Sequence, residues 1–246
     1  MSAESVFVAG AAGAVGRVLV RLLVAGGHRV FGTTRSAERA RELASAGVEP
    51  VVVDAFDADA VRRALLRAQP AALVHQLTDL PRVWDPATAP AALERNARLR
   101  EVGTRNLVAA CAGLDVRRFV VQSIAFAYAP GPEPHAESDP LNVGAADPVA
   151  ARTAGAVAFM EEVALGGPFE GVVLRYGRLY GPGTWNATPP AGCAVHVDAA
   201  AHAALLALTR GAPGVYNVAE PGGNVIVQRA LEDLGWDPGF RAPGPG

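Results

Sequence analysis

The most informative feature of this 246-residue chain is an absence: its 22 basic residues are all arginine, and lysine does not occur. Any mechanism that needs a lysine ammonium is therefore excluded. Cysteine is nearly absent too. Cys111 and Cys193 stand far apart and match no metal or redox spacing, and the five histidines match no metal-ligand pattern. We expect no metal, and a reducing, cytoplasmic setting. No apolar run approaches the roughly 18 residues of a membrane span, and no basic stretch followed by an apolar one opens the chain. Charge of one sign is also missing. With 24 acidic residues against 22 basic ones the net charge is -2, and no block of like charge occurs, so neither nucleic acid nor a membrane is expected as a partner. What is present is apolar: 50% hydrophobic residues, 19% charged residues and a mean hydropathy of +0.20. Such a chain is too apolar for disorder and long enough to bury a substantial core.

Short β-branched runs alternate with longer helical patterns through the first two-thirds of the sequence. Strands are predicted at residues 5–9, 28–33, 49–53, 71–75, 118–122 and 171–175, with helices over 15–25, 37–46, 58–68, 91–112 and 149–165. Near-continuous apolar strands separated by helices predict an α/β fold, a doubly wound parallel sheet of Rossmann type. Beyond Tyr180 the texture turns to Gly/Pro-rich loop. A helix over 199–208, a strand near 215–218 and a helix over 226–234 follow, and the Pro/Gly tail is expected to fray. Residues 1–246 are read as one cofactor-binding domain in which 180–240 form a small substrate-binding portion. The long loops at 79–90 and 129–148 are expected to act in binding.

A buried strand, Val6-Phe-Val-Ala, runs into Gly10, Gly13 and Gly16, and a helix opens directly behind them. Glycines are required where backbone turns tightly beside a pyrophosphate and where helix packs close on strand. The backbone of Gly10, Ala12, Gly13, Ala14, Val15 and Gly16 would hold the phosphates through exposed N–H groups and the positive helix end. The second strand ends Thr33-Thr34-Arg35-Ser36, without the acid that accepts the ribose 2′-OH of NAD. Arg35 offers a planar donor fork to a 2′-phosphate, with hydroxyls from Thr34 and Ser36 beside it, so the expected cofactor is NADP(H).

The spacing Gly-x-x-Gly-x-x-Gly resembles the short-chain dehydrogenase/reductase superfamily, in particular its extended and atypical branches. Matches follow in order: Val53-Asp54-Ala55, Val74-His75-Gln76-Leu77, Asn96 with Gly103-Thr104-Arg105-Asn106-Leu107, Leu174 to Gly183, and Val195-His196-Val197-Asp198. The resemblance implies that Asp54 and Ala55 lie beside the adenine, and that Gln76, Leu77, Ser123, Tyr176, Gly177 and Arg178 also border the cofactor. It also implies a catalytic Ser and a Tyr-x-x-x-Lys pair, and here the chain departs from the pattern. Thr153 and Val157 stand at the tyrosine and lysine positions, Ile124 stands at the serine position, and Ser123 is one residue early. None of the usual catalytic groups is present, and Ser123 is only a weak substitute.

Aromatic residues make up 6% of the chain, yet Trp84, Phe126, Tyr128, Tyr180 and Trp185 all fall in loops expected at the carboxyl ends of the strands. Such a lining suits a flat apolar ligand better than a nucleotide sugar, whose diphosphate calls for cations; only Arg82 lies in these loops. The implied activity is an NADPH-dependent ketoreductase of an aromatic, polyketide-type molecule in antibiotic biosynthesis, with the proton supplied by a substrate phenol or water. The alternative is a catalytically silent NADP(H) sensor of the same fold. The chain is expected to act as a monomer or homodimer.

Overall fold

A computed structural model describes residues 4–81 and 83–244; Arg82 lies outside the described residues. Seven parallel strands form one sheet: β1 (Ser5–Ala9), β2 (Arg29–Thr34), β3 (Glu49–Val52), β4 (Ala72–His75), β5 (Arg118–Ile124), β6 (Glu170–Tyr176) and, last in the chain, β9 (Gly214–Val218). Their order across the sheet is β3-β2-β1-β4-β5-β6-β9, the expected doubly wound arrangement. Alternation along each strand feeds two cores. Val6 and Val8 of β1 pack with Leu19 and Leu23 of α1 (Ala14–Ala25), Leu43 of α2 (Ala37–Ser45) and the alanines of α6 (Val197–Leu206). Phe7 and Ala9 point the other way, onto Leu65 of α3 (Ala58–Ala68), Leu107 of α4 (Ala89–Ala110) and Met160 of α5 (Pro148–Leu165). Burial on both faces explains why these strands read as unbroken apolar runs.

The predicted strands and helices recur within one or two residues at each end, including the last helix, α7 (Gln228–Asp233). Two features differ more. Residues 178–196, read mostly as loop, contain a parallel ribbon of β7 (Arg178–Tyr180) and β8 (Ala194–His196). The tail is docked rather than frayed as far as Ala242. Trp236 Nε1 donates to Ala199 O at 2.8 Å, Phe240 stacks on His202 at 4.0 Å, and the Ala242 N–H reaches Asp198 Oδ2 at 3.1 Å. Among the described residues no helix is long and apolar enough to cross a membrane.

Candidate functional site

In open parallel sheets ligands bind beyond the strands' carboxyl ends, where the strand order reverses. Here that point lies between β1 and β4. Gly10 leaves β1 with φ +88, and a Cβ there would lie 2.6 Å from Gln76 O. A Cβ on Gly16 would lie 2.2 Å from Gly10 O, so α1 packs against the turn as only glycine permits. The Gly10 N–H is held by Thr33 Oγ1 at 2.9 Å. Side chains cap α2, α3, α5 and α6, but none caps α1 at Gly13, which leaves its first N–H groups for an anion.

A cavity of about 120 Å³ opens beside this turn. Of the residues expected there, Gly10, Ala12, Gly13, Thr34, Arg35, Asp54, Ala55, Gln76 and Leu77 line it. Ala14, Val15 and Gly16 form the first turn of α1 just behind. Ser36 instead caps α2, its hydroxyl oxygen accepting the Arg39 N–H at 3.3 Å, and Arg39 joins the lining. Arg35 reaches across the sheet to Asp79 Oδ1 at 2.9 Å, and Asp79 takes its own N–H bond to Asn96 Oδ1 at 2.8 Å. At the inner end Gln76 donates to the Tyr176 hydroxyl at 3.3 Å, while its Oε1 is buried without a partner. An uncapped helix start, glycines where any Cβ would collide, and an orphaned amide oxygen together fit a dinucleotide.

Two of the positions expected to carry catalytic groups are apolar. Ile124, Ala127 and Val157 form a buried cluster backed by Leu141. Thr153 lies in a separate crevice between the starts of α4 and α5, with Pro90, Leu93 and Arg152. Ser123 is fully buried, and its hydroxyl donates to Glu161 Oε1 at 2.5 Å, inside the protein rather than at the cleft. Glu161 also receives both Nε and Nη2 of Arg175, at 2.9 and 2.6 Å. Arg175 Nη1 donates to the Tyr128 hydroxyl at 2.8 Å, and that hydroxyl donates to Asn217 Oδ1 at 2.7 Å.

Tyr128 thus belongs to a buried polar network, and burial raises its pKa against the pull of the Arg175 charge. His135, in the 129–148 loop, is buried and stacks on Tyr128 at 4.9 Å. Tyr180 is also turned inward. Its hydroxyl donates to Glu220 Oε1 at 2.5 Å and accepts from Arg241 at 3.2 Å, and burial with the Glu220 carboxylate raises its pKa. His75 accepts the Leu77 N–H on Nδ1 at 3.1 Å, so we assign its proton to Nε2, which faces Thr104 Oγ1 at 3.0 Å. Burial and the Arg100 charge push its pKa down to about 3, leaving it neutral and unable to serve as an acid near pH 7.

Three expected pocket aromatics do face solvent. Trp84 and Trp185 pack on each other at 4.8 Å, and Trp185 Nε1 ties the two loops together through Pro81 O at 2.9 Å. Phe126 lies under the guanidinium of Arg178, 4.5 Å from ring centre to carbon.

Comparison with known proteins places this geometry. The family described as the NAD dependent epimerase/dehydratase family matches residues 6–192. The chain belongs to that family. A 3-diazoavenalumate denitrifying reductase from a Streptomyces species is 42% identical over 235 residues, covering 87% of this chain and 75% of that protein. UDP-glucose 4-epimerase from Thermotoga maritima, solved with UDP-glucose, shares the fold with TM-score 0.75 at 18% identity, over 96% of this chain and 94% of its own. A yeast methylglyoxal/isovaleraldehyde reductase complexed with NADPH has TM-score 0.69 at 20% identity, over 87% and 78%.

As a member of this oxidoreductase family the chain takes a nicotinamide cofactor. Against the expected Ser and Tyr-x-x-x-Lys pattern, its departure is chemical. The serine and lysine positions carry Ile124 and Val157, and these side chains pack on each other. Sequence reasoning missed Arg39, Asp79 and the Glu161–Arg175 pair. Only Arg39 had a local signal, a second arginine close after Arg35 in the first turn of α2.

Proposed function

We propose that the protein is an NADPH-dependent reductase of an aromatic small molecule whose acceptor group needs no proton from the protein. The observation that carries this reading is the close-packed turn of Gly10 to Gly16, together with the apolar Ile124 and Val157 at the positions of the expected serine and lysine. A reduced nicotinamide supplies hydride; the chain binds, orients and keeps water out. The turn of Gly10 to Gly16 and the start of α1 would hold the pyrophosphate, with Asp54 and Ala55 at the adenine. Arg35, with Thr34 beside it and Arg39 as a second cation, would hold a 2′-phosphate. Phe126, Trp84 and Trp185 offer an exposed apolar face to a flat ligand from the loops, including the 180–240 portion.

Two acceptors satisfy the missing acid. A ketone flanked by a phenol, as in an aromatic polyketide, carries its own proton relay. An aryl diazonium balances with no proton at all, since gain of hydride and release of dinitrogen give the arene. The relative named for denitrifying reduction of a diazo compound favours the second. The test is NADPH oxidation with an ortho-diazophenol and with a peri-hydroxyquinone. We expect turnover with the diazo compound, with dinitrogen released in step. A silent sensor would bind NADPH and oxidise it with neither.

Arg35→Ala is expected to weaken NADPH binding about tenfold while leaving NADH within about twofold, because only NADPH carries the 2′-phosphate. The ratio of KM values for the two cofactors checks this. Equal losses would remove Arg35 from cofactor selection.

A further inference from the structure

We infer that Arg178 and Phe126 form an anchor for the carboxylate of an aromatic acid, which makes the substrate class an aryl carboxylate. This rests on the reading that the cleft reduces an aromatic ligand. Arg178 follows β6 by two residues and Phe126 follows β5 by two, so neighbouring strands deliver both to the carboxyl edge of the sheet. Their backbones are pinned. The Arg178 N–H donates to Cys193 O at 2.7 Å and the Gly177 N–H to Val218 O at 2.9 Å; Ala125, just before Phe126, donates to Tyr176 O at 2.8 Å. Both side chains are nonetheless exposed, Phe126 by 40%.

The guanidinium over the Phe126 ring forms no hydrogen bond or ion pair among the described residues. Arg35 and Arg175, by contrast, are matched by Asp79 and Glu161. The exposed guanidinium, held over the ring, can take a carboxylate through two parallel bonds. One such fork matches one carboxylate, whereas a diphosphate calls for several cations. Phe126 also adjoins Ala127, a member of the apolar cluster at the positions of the expected serine and lysine. An aryl acid held by its carboxylate on Arg178 would lay its ring along Phe126 toward that cluster.

The experiment is calorimetric titration of the NADP⁺-loaded protein with 4-hydroxycinnamate and, separately, with its methyl ester. We expect the acid to bind at least about tenfold more tightly than the ester, as a charge-assisted pair provides. Arg178→Gln should erase that preference, Arg178→Lys should keep part of it, and both variants should hold NADP⁺ within about twofold of the parent. The proposal is overturned if the acid does not bind, if acid and ester bind alike in the parent, or if the preference survives Arg178→Gln. It is equally overturned if NADP⁺ affinity falls with the acid preference, which would give Arg178 to the cofactor. NADPH oxidation by an uncharged diazo or quinone acceptor stands or falls separately, so failure of the anchor and failure of the reductase reading remain distinguishable.

Discussion

Arg175→Met is expected to destabilise the protein by about 3–5 kcal/mol, the loss seen when one partner of a buried ion pair is removed. The melting temperature should fall on the order of 10 °C for a chain of this length. The physical reason is what remains behind. Glu161 would keep only the Ser123 hydroxyl, with its carboxylate 7% exposed. Tyr128 and the Glu137 carbonyl would lose the Arg175 donor that fixes the loop after β5. Replacing Glu161 and Arg175 together by methionine should lose less than the single variant, since the carboxylate stranded by Arg175→Met is then removed as well. Thermal unfolding of the two variants checks both statements; a single-variant loss under about 1 kcal/mol would show that the pair is not what holds this region.

Gly16→Ala is expected to weaken NADP⁺ binding at least about a hundredfold, the scale of effect that a misplacement of about 1 Å produces. The added methyl would stand 2.2 Å from Gly10 O, so α1 and the phosphate turn would have to separate. Gly13→Ala serves as a comparison. Its Cβ would meet Gly10 O at 3.3 Å, and the loss should be much smaller. Direct titration with NADP⁺ measures both. Equal affinities for the two variants would contradict the close approach as the basis of the site.

The sheet was legible because strands buried on both faces must be apolar throughout, as Val6 to Ala9 and Val172 to Leu174 are. The phosphate turn was legible because glycine is demanded by contact, and its signature is local. The β7–β8 ribbon escaped because three-residue strands among Gly and Pro carry no periodicity. Tyr128 and Tyr180 looked like pocket residues because aromatic rings in loops do not reveal where their hydroxyls go. Both find partners, the buried Asn217 and the half-buried Glu220, on or just beyond the last strand of the sheet. The network of Ser123, Glu161, Arg175 and Asn217 draws on β5, α5, β6 and β9, and no sequence spacing joins them. The vacant acid position was visible only through resemblance, by placing Thr153, Val157 and Ile124 against an expected pattern. The structure adds that the serine and lysine positions, Ile124 and Val157, pack on each other with Ala127, while Thr153 lies in a separate crevice.

The absence of lysine, the apolar cluster and the neutral, inward-facing Tyr128, Tyr180 and His75 lead to one central claim, that no side chain donates the proton. The most direct measurement is the single-turnover rate of NADPH oxidation by an ortho-diazophenolate between about pH 6 and 9. An acid in the protein would make the rate fall about tenfold per pH unit above its pKa. The account predicts a rate constant flat within about threefold across that range; a tenfold-per-unit fall would contradict it.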